Sequence, residues 1–234
     1  MNEVEKKAAG EAAADMVRDG MTLGLGSGTT VDYFLRALGE RVLGGMRIRG
    51  VPTSERTAHL CRRLGIDLLD FTSVDEVDLT VDGADEVDDS FRMIKGGGGA
   101  LLREKMVAIA SRQIAIVVDS SKLVTSLGNF PLAVEVTRFG HHLVERKLRE
   151  RGIPCRLRIS GDDPYITDNG HYILDCRMGI IEDPIRTEAG LKGMNGIVAT
   201  GLFIGLCDTL IVGRGKDVEI RRRQSPETRE IGRG

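Results

Sequence analysis

Tryptophan is absent from this 234-residue chain and histidine occurs only four times, so whatever chemistry it performs must rest on carboxylates, lysines and hydroxyls. Cys61, Cys155, Cys176 and Cys207 are scattered with no CxxC spacing. That suggests neither a zinc site nor a redox pair and marks each as a small, buried apolar residue. No apolar run approaches the ~20 residues that span a bilayer, and the opening MNEVEKKAAG lacks the apolar core of a signal peptide, so the expected location is the cytoplasm. Neither sign of charge dominates. A net charge of -2 argues against the concentrated basic face of a nucleic-acid binder, and the expected partner is a small molecule. There is no internal repeat. The length suits one large domain or two small ones, enough to bury roughly 70–75% of the unfolded surface.

Glycine, in contrast, is abundant at 30 residues, and it clusters. Residues 95–105, KGGGGALLREK, carry four in succession. Glycine has no side chain to bury and loses the most backbone freedom on folding, so the run says that something approaches the backbone closely. It lies between the apolar stretch 91–94 and a segment in which Leu102, Met106 and Ile109 fall on one helical face. The spacing predicts a strand-to-helix turn whose N–H groups gather at a helix N-terminus, where anions bind, with Lys95 and Glu104 on either side. Taken alone, the run suits equally a surface loop followed by a helix-start glutamate that the macrodipole favours.

Before this run, a helix is expected over 4–17, closed by Gly20, with Lys6 and Lys7 on its wet side and one of them able to reach a site. A strand at 21–23 runs into GLGSGTT, residues 24–30, and a helix follows over 31–43. This turn is similar to the dinucleotide fingerprint G-x-G-x-x-G, but Thr29 stands at the third glycine and no acid closes the next strand, 46–51. No Gly-Lys-Ser/Thr of a Walker loop follows either. What remains is a cradle of N–H groups with the hydroxyls of Ser27, Thr29 and Thr30, suited to one phosphate or a sugar's oxygens.

A helix over 55–64, capped by Ser54 and stopped at Gly65, and strands at 66–69 and 77–81 lead to the acidic DGADEVD, residues 82–88. That stretch suits a solvated turn or a divalent-ion loop, though EF-hand spacing is missing. Asp82 and Asp85 come straight off a buried strand, where unpaired carboxylates are costly, and Lys95 is their natural counter-charge. A very apolar strand, 113–118, ends in DSSK, residues 119–122. Four turns thus share one address, the carboxyl ends of strands, where open α/β sheets bind ligands. The β/α alternation argues for a parallel sheet with helices on both faces.

From about residue 130 the texture changes. A strand at 132–136, a charged helix at 139–151, a strand at 155–159, two strands at 165–167 and 172–175 joined across Asn169-Gly170, a helix around 185–191 and a strand at 197–199 follow. This order suggests a ferredoxin-like α+β unit serving oligomer contacts or acting as a lid. A strand at 208–212 returns to the first sheet. The expected division is 1–129 with 206–234, and an inserted 130–205. The tail 221–234, which opens with three arginines, is expected to be a disordered, solvated end.

Taken together, GLGSGTT, DGADEVD and KGGGGALLREK, with the DSSK strand end and the return strand, closely resemble the ribose-5-phosphate isomerase A family over nearly the whole chain. The resemblance implies an α/β fold, a Rossmann-like parallel sheet plus an inserted ferredoxin-like α+β domain, and catalysis with no cofactor and no metal. It implies interconversion of ribose 5-phosphate and ribulose 5-phosphate through a cis-enediolate, with Glu104 as the base for both carbons. Lys95 and the glycine-turn amides would stabilise the enediolate, and Asp82 and Asp85 would orient hydroxyls or relay the O1/O2 proton. Substrate-binding positions carry over to Ser27, Gly28, Thr29 and Thr30, to Asp82, Gly83, Ala84 and Asp85, to Lys95, Gly96, Gly97 and Gly98, to Lys122, and to Lys6, where the alignment is loose beside Lys7. A homodimer or homotetramer is usual in the family.

This sequence has Ser-Gly-Thr-Thr where many relatives have Thr-Gly-Ser-Thr, an exchange of hydroxyls for hydroxyls. Three rivals fit less well. A phosphosugar sensor fused to a repressor needs a DNA-binding segment ahead of Gly24, where there is little room. A CoA-transferase-like enzyme does not require the cluster of Asp82, Asp85 and Lys95. An NAD-dependent dehydrogenase needs the missing third glycine and ribose acid.

Overall fold

Small residues decide how the first helix sits. The computed structural model describes residues 2–223, so most of the tail expected to be disordered, 224–234, lies outside the described residues. α1 (Asn2–Ala14) buries Ala9, Gly10, Ala13 and Ala14, while Val4 is half exposed. β1 (Thr22–Leu25) leads into α2 (Thr29–Leu43), and β2 (Arg49–Pro52) into α3 (Glu55–Arg63); β3 (Asp67–Leu68) and β4 (Val77–Asp82) follow. A Cβ on Gly10 would lie 2.8 Å from the Phe34 backbone nitrogen, so the closeness of α1 to α2 depends on that glycine. Two very short strands, β5 (Glu86–Val87) and β6 (Met93–Ile94), precede α4 (Leu101–Ile109) and the long β7 (Ser111–Asp119).

Beyond β7 the chain builds β8 (Leu132–Val136), α5 (His141–Glu150), β9 (Cys155–Leu157), a hairpin of β10 (Ile159–Ser160) and β11 (Asp163–Pro164), then β12 (Tyr172–Cys176), α6 (Pro184–Lys192) and β13 (Ile197–Thr200). β14 (Leu202–Phe203), β15 (Thr209–Arg214) and β16 (Asp217–Arg222) complete it.

Seven strands form the main sheet in the order β16-β15-β7-β4-β1-β2-β3. All are parallel except β16, which runs antiparallel along β15. Side chains alternate across a strand, and β7 shows it. Ala115 and Val117 join the core beneath α1 and α2, while Ile114, Ile116 and Val118 join the opposite core with Leu101 and Ala108 of α4. Helices therefore cover both faces, as expected of a parallel sheet.

The second sheet has the order β13-β8-β12-β9 and is wholly antiparallel, which with its two helices is the ferredoxin-like arrangement. Leu132, Val134 and Val136 of β8 face Val144 and Leu148 of α5 and Leu191 of α6. The other face of the same strand, at Ala133, packs with Leu101 of α4. The inserted unit is thus docked on the helix that carries Glu104.

Four expectations are corrected. The glycine run does not leave a strand of the parallel sheet; it leaves β6, the middle strand of a small antiparallel sheet, β14-β6-β5. The buried face of α4 is not Leu102, Met106 and Ile109, the last two of which are half or more exposed; it is Leu101, Glu104, Val107 and Ala108. Residues 165–167 are not a strand: the hairpin closes earlier, where Ser160 pairs with Asp163, and Asn169-Gly170 makes a turn in which Gly170 N–H donates to Thr167 O. Arg221 and Arg222 are not in a disordered end, because they pair with Leu210 and Thr209 as an edge strand.

One contact offers a direct test. A Cβ on Gly24 would lie 1.9 Å from Thr80 Oγ1 on β4 and 2.7 Å from Val107 Cγ1 on α4. Overpacking of this kind costs about 1–3 kcal/mol, so Gly24→Ala is expected to lower the free energy of unfolding by that amount and with it the denaturation midpoint. An unchanged midpoint would contradict the packing described.

Candidate active site

The carboxyl ends of the parallel strands open onto a cleft of about 570 Å³. Its walls are Ser27 to Thr30 of the first turn, Gly83 to Asp85 of the acidic stretch, Lys95, Gly96, Gly98, Gly99 and Glu104 of the glycine-rich stretch, and Lys6 and Lys122. Of the residues named from sequence, Asp82 and Gly97 do not line it and stand just behind. The four strand-end motifs, spread along the chain from residue 24 to residue 122, meet here.

Two helices point uncapped N-termini at this cleft. α2 begins at Gly28 and α4 at Ala100, and neither start has a side-chain cap. Two other helices carry side-chain caps, α3 with Ser54 and α6 with Asp183, while α5 also begins uncapped, at Gly140. Free N–H groups at a helix start carry partial positive charge and suit an anion. Gly28 has φ +124°, a value that L side chains rarely adopt, and so brings the chain into α2 with its amides exposed. The Ser27 hydroxyl, by contrast, faces away into a network, 2.7 Å from Ser54 Oγ and 3.0 Å from both Thr53 Oγ1 and Thr57 Oγ1. It locks the first turn to the start of α3, leaving the hydroxyls of Thr29 and Thr30 without a partner among the described residues.

At the other side of the cleft lies a buried charge cluster. The Lys95 ammonium is 3.1 Å from Asp82 Oδ2 and 3.3 Å from Glu104 Oε2, and it donates to Gly83 O at 2.5 Å. Asp82 Oδ1 accepts from Ser27 N–H at 3.1 Å and Gly83 N–H at 2.8 Å. Asp82, Lys95 and Glu104 are exposed by 2%, 3% and 5%. Lys95 also lies 5.4 Å above the centre of the Phe203 ring, which excludes water from that side. Glu104 Oε2 accepts no hydrogen bond among the described residues. Burial first, and then the Asp82 carboxylate, push the Glu104 carboxyl up to about 8. Burial works against the charge on Lys95, but Asp82 and Glu104 outweigh it and raise its pKa. The outcome is a lysine held charged beside a glutamate held ready to exchange a proton near neutral pH.

Asp85 occupies the rim, where its Oδ2 accepts from Gly97 N–H at 2.8 Å. The choice between Lys6 and Lys7 is also resolved. Lys6 lines the cleft, whereas Lys7 points to solvent and pairs with Glu11. Glu5, between α1 and the DSSK turn, accepts from Ser120 N–H at 3.0 Å, Ser120 Oγ at 2.8 Å and Gly215 N–H at 3.1 Å. It fixes the helix of Lys6 against the turn of Lys122. Among the described residues, no group of three or more His, Cys, Asp or Glu side chains is arranged to hold a metal ion, and no helix is long and apolar enough to cross a membrane.

Several lining residues escaped the sequence reading, Asn2, Ser54, Arg56, Tyr165 and Asp168, while Gly99 and Asp119 lay within its motifs without being named as site residues. Ser54 was read only as a helix cap, which it also is. Tyr165 and Asp168 belong to the inserted unit, and no local signal tied them to the other motifs. Asp168 Oδ2 accepts from Glu55 N–H at 2.8 Å, at the start of α3. Gly99 explains part of the glycine run, because its Cβ would lie 2.3 Å from Tyr165 Oη.

A family model described as Ribose 5-phosphate isomerase A (phosphoriboisomerase A) matches residues 49–217. Ribose-5-phosphate isomerase A 1 of Oceanobacillus iheyensis is 46% identical over 224 residues, covering 94% of this chain and 100% of the relative. Ribose-5-phosphate isomerase A of Methylorubrum extorquens is 50% identical over 215 residues, covering 88% and 91%. A solved D-ribose-5-phosphate isomerase in complex with phospho-erythronic acid superposes with a TM-score of 0.92 at 35% identity, over 95% of this chain and 100% of that one. Ribose 5-phosphate isomerase A from Methanocaldococcus jannaschii gives 0.88 at 35% identity, over 93% and 98%. With its fold and its sequence in agreement, the chain belongs to the ribose 5-phosphate isomerase A family and is an isomerase.

Proposed function

We propose that this cleft interconverts D-ribose 5-phosphate and D-ribulose 5-phosphate by moving one proton between C2 and C1 through a cis-enediolate, with Glu104 as the shared base. The observation that carries the reading is the Glu104 carboxylate itself. It is buried, shifted toward neutrality, 3.3 Å from a lysine ammonium and in the first turn of the helix that follows the glycine run.

Deprotonated Glu104 takes the proton from C2 of the ring-opened aldose and returns it to C1. Negative charge then develops on the oxygens of C1 and C2. Lys95 and the glycine-run amides are placed to stabilise it, each such donor contributing roughly 2.7–4 kcal/mol in comparable oxyanion sites. We assign the two aspartates different roles from where each lies. Asp85 lines the cleft, so it orients the sugar hydroxyls and relays the O1/O2 proton. Asp82, buried behind Lys95, holds that lysine and lifts Glu104.

The phosphate goes to the opposite end. There the uncapped start of α2, the Thr29 and Thr30 hydroxyls, Lys6 and Lys122 form a positive cradle. The related enzyme's ligand, phospho-erythronic acid, supports the same two-ended arrangement, since it joins a phosphate to a carboxylate that resembles the two enediolate oxygens. We assign residues 1–129 and 206–234 to the catalytic domain and 130–205 to the insertion, in a cytoplasmic homodimer or homotetramer.

Purified protein in EDTA is expected to form ribulose 5-phosphate from ribose 5-phosphate, and Glu104→Gln is expected to be slower by ~10² or more, as loss of a general base predicts. An inert wild type that still binds the sugar phosphate would replace this reading with that of a sensor, and equal rates would move the base elsewhere.

Because Glu104 must be ionised to act, the acid limb of kcat/KM should lie near the raised value, about 8, well above the ordinary glutamate range. A limb near 4.5 would contradict the burial described.

The same shift bears on stability. The folded state keeps a proton on Glu104 that the unfolded chain, with its ordinary value of 4.5, has already lost. Stability from this group is therefore complete below the unfolded value and falls as pH rises through the folded one. Glu104→Gln removes that loss, so its melting temperature relative to wild type should rise between pH 5 and pH 8.5. A relative fall over that range would contradict the assignment.

A further inference from the structure

Arg158, in the inserted unit, has no place in the chemistry described so far, and it does not line the cleft. Its guanidinium is nevertheless mostly buried, with 14% of the side chain exposed, and it is held as a fork by Asp175. Nε donates to Asp175 Oδ2 at 3.0 Å and Nη2 to Oδ1 at 2.5 Å. The remaining nitrogen, Nη1, reaches across to the glycine run and donates to Gly96 O at 2.8 Å and Gly97 O at 3.2 Å. The Tyr165 ring stacks 5.8 Å from the guanidinium carbon, and its hydroxyl donates to Gly98 O at 3.3 Å. Three successive carbonyls of the run are thus tied to the insertion.

A peptide group is planar and trans, so its C=O and N–H point in opposite directions. The group between Gly96 and Gly97 is pinned at both ends, its carbonyl by Arg158 and its N–H by Asp85 at 2.8 Å. The group between Gly97 and Gly98 is pinned at one end only. Its carbonyl turns to Arg158, so the Gly98 N–H is turned the other way, toward the side of Asp85 and the cleft that Gly98 lines. No described residue accepts from it, and a Cβ on Gly98 would meet nothing within 4 Å. A glycine peptide without such an anchor is free to flip, because neither φ nor ψ is restrained by a side chain.

We propose that Arg158 is a positioning residue for the isomerase reaction: by gripping the Gly96 and Gly97 carbonyls from the inserted unit, it aims the Gly98 N–H at the oxygen that becomes negative in the enediolate. Asp175 sets the angle of the fork, and Lys95 supplies the charge from the other side. The inserted unit is then a working part of the active site. This rests on the reading that the glycine-run amides stabilise the enediolate.

The role predicts a loss confined to the step in which charge develops. Arg158→Ala should lower kcat by at least about tenfold, toward the ~10² that a misplaced group costs, with KM for ribose 5-phosphate changed by less than about twofold. Millimolar guanidinium, too dilute to denature, should restore part of the lost kcat by filling the vacated fork. A merely structural arginine would show a lowered melting temperature with neither the kcat–KM split nor the rescue. Wild-type kcat in Arg158→Ala, a loss borne wholly by KM, or failure of guanidinium to restore any rate in the folded variant would overturn the proposal.

Should Arg158→Ala not fold, Arg158→Lys decides. It keeps the charge opposite Asp175 but replaces the fork with a single point donor, so a reduced kcat supports the role and a wild-type kcat removes it. Wild-type protein assayed alongside separates the two claims, since an inert wild type would overturn the isomerase reading itself.

Discussion

Everything at the active end of this molecule depends on one buried ammonium shared between two carboxylates. Removing Lys95, Asp82 and Glu104 from water costs several kcal/mol for each charge that stays ionised, and the structure offsets this with close partners. Asp82 is satisfied by two backbone N–H groups and by Lys95, and Lys95 by Asp82, Glu104 and Gly83 O. One positive charge cannot fully compensate two negative ones. The surplus falls on Glu104, the member with an oxygen that accepts no hydrogen bond, and its affinity for a proton rises accordingly. Stability is lowered at that spot, and the result is a carboxyl raised toward neutrality, as the proposed role of Glu104 requires.

The fold's contribution is to bring that cluster to the same cleft as Lys6, Lys122 and the uncapped start of α2. Parallel strands leave their carboxyl ends on one edge of the sheet. The α1 helix, tied by Glu5 to the turn after β7, adds Lys6 to Lys122. The insertion, docked through Ala133 and Leu101, adds Tyr165 and Asp168 to the walls and grips the glycine run from behind. Four glycines in succession have different causes. A Cβ on Gly97 would lie 2.7 Å from the Asp85 carboxylate and one on Gly99 2.3 Å from Tyr165 Oη, while Gly98 faces open space.

Much of this could be read from the residues in order. The three motifs name the cleft, and GLGSGTT and DSSK announce themselves as strand ends because apolar runs stop abruptly at hydroxyls and charges. The alternation of strands and helices gives the parallel sheet. What failed did so for physical reasons. Leu102, Met106 and Ile109 make a plausible apolar stripe, but α4 turns Glu104 inward because Lys95 and the cleft require it, and two of those three side chains are left in water. The Asn169-Gly170 turn has strong hairpin chemistry, and Thr167 N–H does donate to His171 O across it, but Tyr165 N–H turns to Arg158 O and Thr167 Oγ1 to the buried Glu135. Arg158 lies 61 residues from the carbonyl it holds, and nothing local marks it.

The measurement closest to the central claim is isotopic. The wild-type enzyme brought to equilibrium with ribose 5-phosphate in D2O, and followed by proton NMR, reports whether the migrating hydrogen passes through an exchangeable carboxyl group. A carboxylate shared by C1 and C2 predicts deuterium at a single C1 position of ribulose 5-phosphate and its gradual appearance at C2 of ribose 5-phosphate. Product that stays fully protonated at carbon after many turnovers would mean direct hydride migration, and the buried glutamate would then have no proton to carry.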